Sequence, residues 1–186
     1  EGKPTVVTVE PVVGVSASEV LRVAAALERG SEHPLAAAIT EAATAKALRL
    51  PLSQEFRAEV GLGVTGAIEG RTVLVGTAAL LKARGVETAV LSSRVRELRQ
   101  QGQTVVYVAV AGQLLGLLGV VDPIKATTPE ALAELRAEGL RVVMATGDNQ
   151  VTAAAVASQL GIEAVVANAL PADKRRVVAE SQAAGQ

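Results

Sequence analysis

Cysteine and tryptophan are missing from all 186 residues, and histidine, tyrosine, phenylalanine and methionine occur once each. Without thiols the chain forms no disulfide and offers no thiolate metal site, and a single imidazole is too few for a transition-metal centre built from this chain. Two aromatic residues make no platform for stacking successive bases, and a formal charge of -1 gives no basic surplus to neutralise phosphates. Nucleic-acid binding is not expected. Long apolar runs are lacking too: Leu114 to Val121, the strongest, is broken by Gly116 and Gly119 and falls far short of the ~20 residues that span a membrane. No signal-peptide pattern opens the chain, and its polar start without methionine reads as a soluble, cytosol-type piece of something longer. What is plentiful is small and aliphatic. Hydrophobic residues make up 49% of the chain, so its cores must be built from Val, Leu, Ala and Ile.

The lone histidine stands in Ser31-Glu32-His33-Pro34-Leu35, directly before a proline that opens an alanine-rich run. Proline suits the first helical position, where its missing N–H would have had no partner. His33 is therefore expected at the mouth of a helix running from Pro34 to about Leu48, beside unpaired N–H groups of the kind that bind anions. The preceding helix is announced by Ser16-Ala17-Ser18-Glu19, with capping-box spacing; Val20, Val23, Ala24 and Leu27 should face inward, and Gly30 should stop it. Glu28 falls in its last turn. Negative charge there is mildly unfavourable, so Glu28 either points at solvent or is kept for a purpose.

A strand is expected over Thr5 to Val13, and the period turns towards two again from Ser53. Gly61-Leu62-Gly63-Val64-Thr65-Gly66 has the letters of a dinucleotide fingerprint but lacks the helix that the fingerprint requires. Ala67 to Gly76 reads instead as two short strands about Glu69-Gly70, so these glycines suit a turn that lets a ligand approach the backbone, or turn geometry alone. Helices are expected over Thr77 to Arg84 and Ala89 to Gln101, then strands over Gln103 to Val121. From Asp122-Pro123 onward the pattern is that of a parallel sheet: a helix from Thr128 to Glu138, a strand over Leu140 to Ala145, a helix from Gln150 to Leu160, a strand over Ala164 to Ala167 and a helix from Pro171 to Ala184. Thr146, Gly147 and Asp148 lie at a strand's carboxyl end, where such sheets bind ligands.

Taken together, Ser31 to Leu35, Gly61-Leu62-Gly63-Val64, Val75-Gly76, Asp122-Pro123-Ile124-Lys125, Thr146-Gly147-Asp148-Asn149 and Leu170-Pro171-Ala172-Asp173-Lys174 resemble the cytosolic ATP-binding region of a heavy-metal-transporting P-type ATPase. The resemblance implies an α/β chain. An α+β nucleotide-binding domain with an antiparallel sheet and flanking helices would occupy residues 5–119, and residues 1–4 and 120–186 would form an incomplete, haloacid-dehalogenase-like parallel lobe. It implies that Glu28 and His33 contact the adenine of ATP, that Gly61 and Gly63 lie close to the nucleotide and that Gly76 shapes the same pocket. It further implies that Thr146, Gly147, Asp148 and Lys174 serve the phosphate side, with Asp122 in a hinge or phosphate-side role, and that ATP is used with magnesium. The family's phosphorylated aspartate sits in an Asp-Lys-Thr-Gly-Thr motif before the stretch matching Glu1 to Pro4, and its magnesium segment lies beyond the stretch matching Gln186. This piece is therefore expected to hold no nucleophile and no metal ligands, to be inactive alone and to need the rest of a pump: membrane helices, an actuator domain and further phosphorylation-domain strands. Copper(I) is the expected cargo, with zinc, cadmium or cobalt as the alternative. A soluble haloacid-dehalogenase-type phosphatase would need an Asp-x-Asp nucleophile, and the only aspartates are Asp122, Asp148 and Asp173; a non-enzymatic nucleotide sensor is the third reading.

Overall fold

The structure, a computed structural model, describes residues 3–183. They fall into two units, one formed by residues 3–98 and 105–123 and the other by residues 99–104 and 124–183.

In the first unit, β-branched and apolar residues at period two build six strands: β1 (Thr5–Pro11), β2 (Ser53–Glu59), β3 (Gly63–Ile68), β4 (Arg71–Gly76), β5 (Thr104–Val110) and β6 (Gln113–Val121). They make one antiparallel sheet in the order β1-β6-β5-β4-β3-β2. β1 stops two residues short of the expected Val13. Gly14 takes a φ of +86° and Val15 N–H donates to the Val12 carbonyl at 3.1 Å, so a turn replaces the last strand residues.

Alternation sends neighbouring side chains to opposite faces, and both faces are covered. Val73 and Val75 of β4 and Val106, Val108 and Val110 of β5 join one core with α1 (Ala17–Glu28) and α2 (Pro34–Ala45). Leu74, Val105, Tyr107 and Ala109 join the other, with α3 (Ala78–Ala83), a 3-10 turn at Ala89–Leu91 and α4 (Ser92–Gln100). The capping residues explain the helix starts. Ser16 accepts from Glu19 N–H at 3.1 Å and Thr77 from Leu80 N–H at 3.3 Å, each satisfying one otherwise unpaired donor.

The C-terminal half of α1 is seated on β2 and β3 through two glycines. A side chain at Gly66 would meet Leu27 Cδ1 at 2.7 Å, and one at Gly30 would meet the Phe56 ring at 2.9 Å. These contacts bring the end of α1, and with it the Glu28 to His33 loop, down onto the β2–β3 hairpin.

In the second unit, α5 (Thr128–Ala137), β7 (Val143–Ala145), α6 (Gln150–Leu160), β8 (Ala164–Val166) and α7 (Pro171–Ala183) succeed one another, and β7 pairs parallel to β8 with Met144 opposite Val165. The expected strand from Leu140 is half as long. Gly139, at φ +78°, ends α5, and Leu140 N–H turns back to the Leu135 carbonyl at 3.0 Å, so Leu140 caps a helix instead of extending a strand.

Candidate functional site

Glu28 is the last residue of α1 and is only 7% exposed, among Val23, Ala24 and Leu27 of the same buried face. The solvent-facing alternative is thereby excluded. Burial pushes its carboxyl up to about 7 from an ordinary 4.5, and the Ser31 side chain opposes that rise by favouring the ionised form. Carbonyl dipoles at the helix end work in the same direction as burial, against the charge. Glu28, Ser31 and His33 line an open cleft of about 470 Å³ together with Arg29, Glu32, Ala36, Ala37 and Thr40.

His33 is the N-cap of α2. Its backbone is extended, at φ -69° and ψ 142°, and its Nδ1 accepts from Leu35 N–H at 3.2 Å. An accepting Nδ1 fixes the neutral ring with its proton on Nε2, which leaves one donor for a ligand. The expected anion site does not form at this helix mouth. Pro34 has no N–H, Leu35 N–H is taken by the His33 ring, and Ala36 N–H is taken by the His33 carbonyl at 2.9 Å. A histidine that caps also carries stability. His33→Asn keeps a capping acceptor and should melt like the wild type, whereas His33→Ala should lose about 1 kcal/mol in a denaturant titration. Both should weaken nucleotide binding alike. Equal stability of the two variants would contradict the capping role.

Gly63 and Gly76 stand opposite each other in the β3–β4 ladder. A side chain at Gly63, whose φ is +141°, would lie 2.3 Å from the Val75 carbonyl oxygen and 2.5 Å from Gly76 Cα; one at Gly76 would lie 2.2 Å from the Leu62 carbonyl oxygen. Backbone packing therefore requires these two glycines whatever else they do. Gly61, in the turn before β3, has a φ of +73° and open space where a side chain would be. None of the three lines the Glu28–His33 cleft.

In the second unit, Thr146, Gly147 and Asp148 form the turn leaving β7. The Thr146 hydroxyl donates to one oxygen of the Asp148 carboxylate at 2.8 Å, and the Thr104 hydroxyl donates to the other at 2.7 Å. Asp148 is thus oriented by two hydroxyls. Asn149 caps α6 by accepting from Val151 N–H at 3.0 Å and Thr152 N–H at 3.2 Å. Lys174 is exposed in the first turn of α7, which Asp173 opens by accepting from Leu170 N–H at 3.0 Å. Because β7 and β8 run parallel, the Thr146 to Asp148 turn and the start of α7 both lie past the carboxyl ends of adjacent strands. Asp122 is exposed directly after β6 and belongs with the first unit, so it is not grouped with them.

Four contributors are invisible in the sequence alone. Ala36, Ala37 and Thr40 line the cleft, yet alanines in a helix carry no functional signal; only the i, i+4 spacing of Ala36 and Thr40 along α2 hints at a shared face. Thr104 reaches Asp148 from 44 residues away, a distance over which no local pattern operates.

Residues 2–186 match the haloacid dehalogenase-like hydrolase family. A silver-exporting P-type ATPase of Salmonella typhimurium is 42% identical over 185 residues, covering 100% of this chain and 22% of that protein. A copper-exporting P-type ATPase of Legionella pneumophila is 48% identical over 160 residues, covering 86% of this chain and 22% of that protein. The chain thus spans about a fifth of the length of these relatives. Among solved structures, a zinc-transporting PIB-type ATPase in an E2·Pi state superposes with a TM-score of 0.67 at 37% identity, covering 97% of this chain and 29% of that one. The chain belongs to the haloacid dehalogenase-like hydrolases and is similar along its length to one region of the silver- and copper-exporting P-type ATPases.

Proposed function

We propose that this chain is the ATP-binding region of a P-type pump that couples ATP hydrolysis, through an aspartyl phosphate, to the export of copper(I). The observation that carries the nucleotide role is a buried carboxyl, raised by its burial, held in one cleft with a neutral imidazole whose Nε2–H is directed to no cap and can donate. A carboxylate in that place accepts from an exocyclic amine such as adenine's, and the imidazole donates to or stacks on the base. Gly61 leaves room for close approach of a ligand to the backbone; Gly63 and Gly76 set the strand spacing beneath it.

On the phosphate side, Thr146 and Thr104 hold Asp148 oriented through their hydroxyls, Gly147 offers a backbone donor, and Lys174 supplies positive charge for a transferring phosphoryl group. Magnesium would come with the nucleotide phosphates, since among the described residues no group of three His, Cys, Asp or Glu could hold a metal ion. The chemistry it supplies is charge neutralisation at those phosphates. Partners would be the remainder of a pump: membrane helices, an actuator domain and further strands. In keeping with this, β7 pairs with β8 alone among the described residues, and no described helix is long and apolar enough to cross a membrane. The names of the silver- and copper-exporting relatives support a copper-group cargo. That placement would put this region on the cytoplasmic side.

Recognition through base contacts alone predicts weak binding, with a Kd of roughly 0.1–1 mM, or about -5 kcal/mol. NMR shifts on ATP titration should centre on Glu28, His33 and Gly61. Shifts confined to Thr146 to Asn149, equal for ATP and GTP, would remove the adenine assignment.

A further inference from the structure

We propose that Phe56 is the positioning residue of the cleft, its ring supporting Gly30 so that Glu28 and His33, on either side of that glycine, meet the same purine edge. The inference rests on the adenine reading of this cleft. It begins with a β-bulge. Gln54 stands opposite Ala67 and Arg57 opposite Thr65, so Glu55 and Phe56 together face the single residue Gly66. Glu55 takes the left-handed backbone this requires, at φ +54°. Val64 and Ile68 of β3 point into the core shared with α1, and Ala67, next to Ile68, points away from it. Gln54, paired with Ala67, therefore points away as well, and regular alternation would send Phe56 to that side too. The extra residue reverses this, and Phe56 packs against the α1 core.

The ring then lies under Gly30. A side chain at Gly30 would approach Phe56 Cγ and Cδ2 at 2.9 Å and Cδ1 at 3.3 Å, distances that put it over the ring face, where only the glycine α-hydrogen fits. Gly30 is tied on both sides. Its N–H donates to the Leu27 carbonyl at 3.2 Å, Ser31 N–H to the Glu28 carbonyl at 2.9 Å and His33 N–H to Ser31 Oγ at 3.2 Å. The height of Gly30 over the ring thus sets the height of the loop that carries Glu28, Ser31 and His33 into the cleft. Phe56 itself does not line that cleft, so it acts through the loop and not on the ligand. A flat ring with few torsions makes a stiff support.

The test is ATP affinity by calorimetry on the whole chain, with denaturant midpoints and Gly30 α-proton shifts measured on the same samples. In the wild type one Gly30 α-proton should lie upfield, over the ring, and Phe56→Ala should return it to an ordinary position. Phe56→Ala should weaken ATP by roughly 3- to 10-fold, about the loss of one ligand hydrogen bond. Phe56→Leu keeps Cγ, Cδ1 and Cδ2, the atoms that face Gly30, and should bind ATP as the wild type does. Gly30→Ala should weaken ATP to a similar extent, and adding Phe56→Ala to it should cost nothing more, because both changes unseat one contact. Phe56→Ala adds no atoms, so the test stands even where Gly30→Ala unfolds the unit. Leu98→Ala, in the core on the other face of the sheet, is the stability control: its midpoint should fall while its ATP affinity stays. Wild-type affinity in Phe56→Ala, or an equal affinity loss in Leu98→Ala, overturns the positioning role. So does a Gly30 α-proton at its ordinary position in the wild type. If that proton is shifted and the Glu28 to His33 amides move in Phe56→Ala, but no adenine nucleotide binds the wild type, the support stands and the adenine reading fails, taking with it the purine role of Phe56.

Discussion

Glu28→Gln should give a protein that melts higher than the wild type above pH 8 and binds ATP less well. The Glu28 carboxyl is raised by burial from 4.5 to about 7 in the folded chain. Between those values the folded state holds a proton that the unfolded state has released, so stability falls as pH rises through the window and the whole penalty stands above about pH 7. A gap of that size corresponds to on the order of 3 kcal/mol. A neutral amide of nearly the same shape removes it, and for a chain of this length the melting temperature of the first unit should rise by roughly 6–12 °C at pH 8.5. At pH 4.5 or below, where the folded state is protonated and the unfolded state largely so, the two proteins should melt together. Calorimetry at the two pH values checks this. Equal melting at pH 8.5 would mean that the carboxyl is hydrated or paired in solution. A residue that destabilises its own fold and is nonetheless placed at a cleft fits a trade of stability for binding.

The second large effect belongs to the paired glycines. Gly63→Ala or Gly76→Ala places a methyl group within 2.3 Å of a backbone carbonyl oxygen, and backbone cannot swing aside as a side chain can. Either change should destabilise the first unit by roughly 3 kcal/mol or more, as overpacking combined with ladder distortion. Gly61→Ala meets no atom within 4 Å and carries only the left-handed backbone penalty of about 1 kcal/mol. Denaturant midpoints of the three variants should separate accordingly. If Gly61→Ala abolishes ATP binding in a folded protein, backbone approach at that turn is supported. A Gly63→Ala protein as stable as the wild type would show that β3 and β4 are not held at this spacing in solution.

Elements set by local chemistry are legible in the residues themselves. Ser16 announces α1, Pro34 announces α2, Glu69-Gly70 marks the β3–β4 turn, and α6 spans Gln150 to Leu160 as expected. Features that depend on register are not. That Gly63 faces Gly76 comes from pairing two strands, and single-sequence periodicity is silent about pairing. His33 as a cap is hidden for a different reason: histidine is outside the set of short oxygen-bearing residues that usually cap, so its sequence context leaves both ring nitrogens open to a ligand. The burial of Glu28 stays one of two alternatives in the sequence, because a helix end is where local rules lose force and packing decides. At Leu140, capping and extension compete for one residue, and Gly139 gives the helix end the advantage.

The pairing of β1 with β6 has a mechanical consequence. Thr5, where the first strand of the sheet unit begins, stands opposite Val121, where the last one ends. Entry and exit therefore sit side by side, about one strand spacing of 5 Å apart. Such a module can be threaded into a host chain without stretching it, as insertions with adjacent ends are. The same arrangement decides how it yields to tension. Antiparallel bonds lie across the strands, so pulling Thr5 and Val121 apart loads them one after another, like a zip opened from its end, and not all together in shear. A tug delivered through its two tethers should peel β1 from β6 at low force and leave the interior strands β3, β4 and β5 paired.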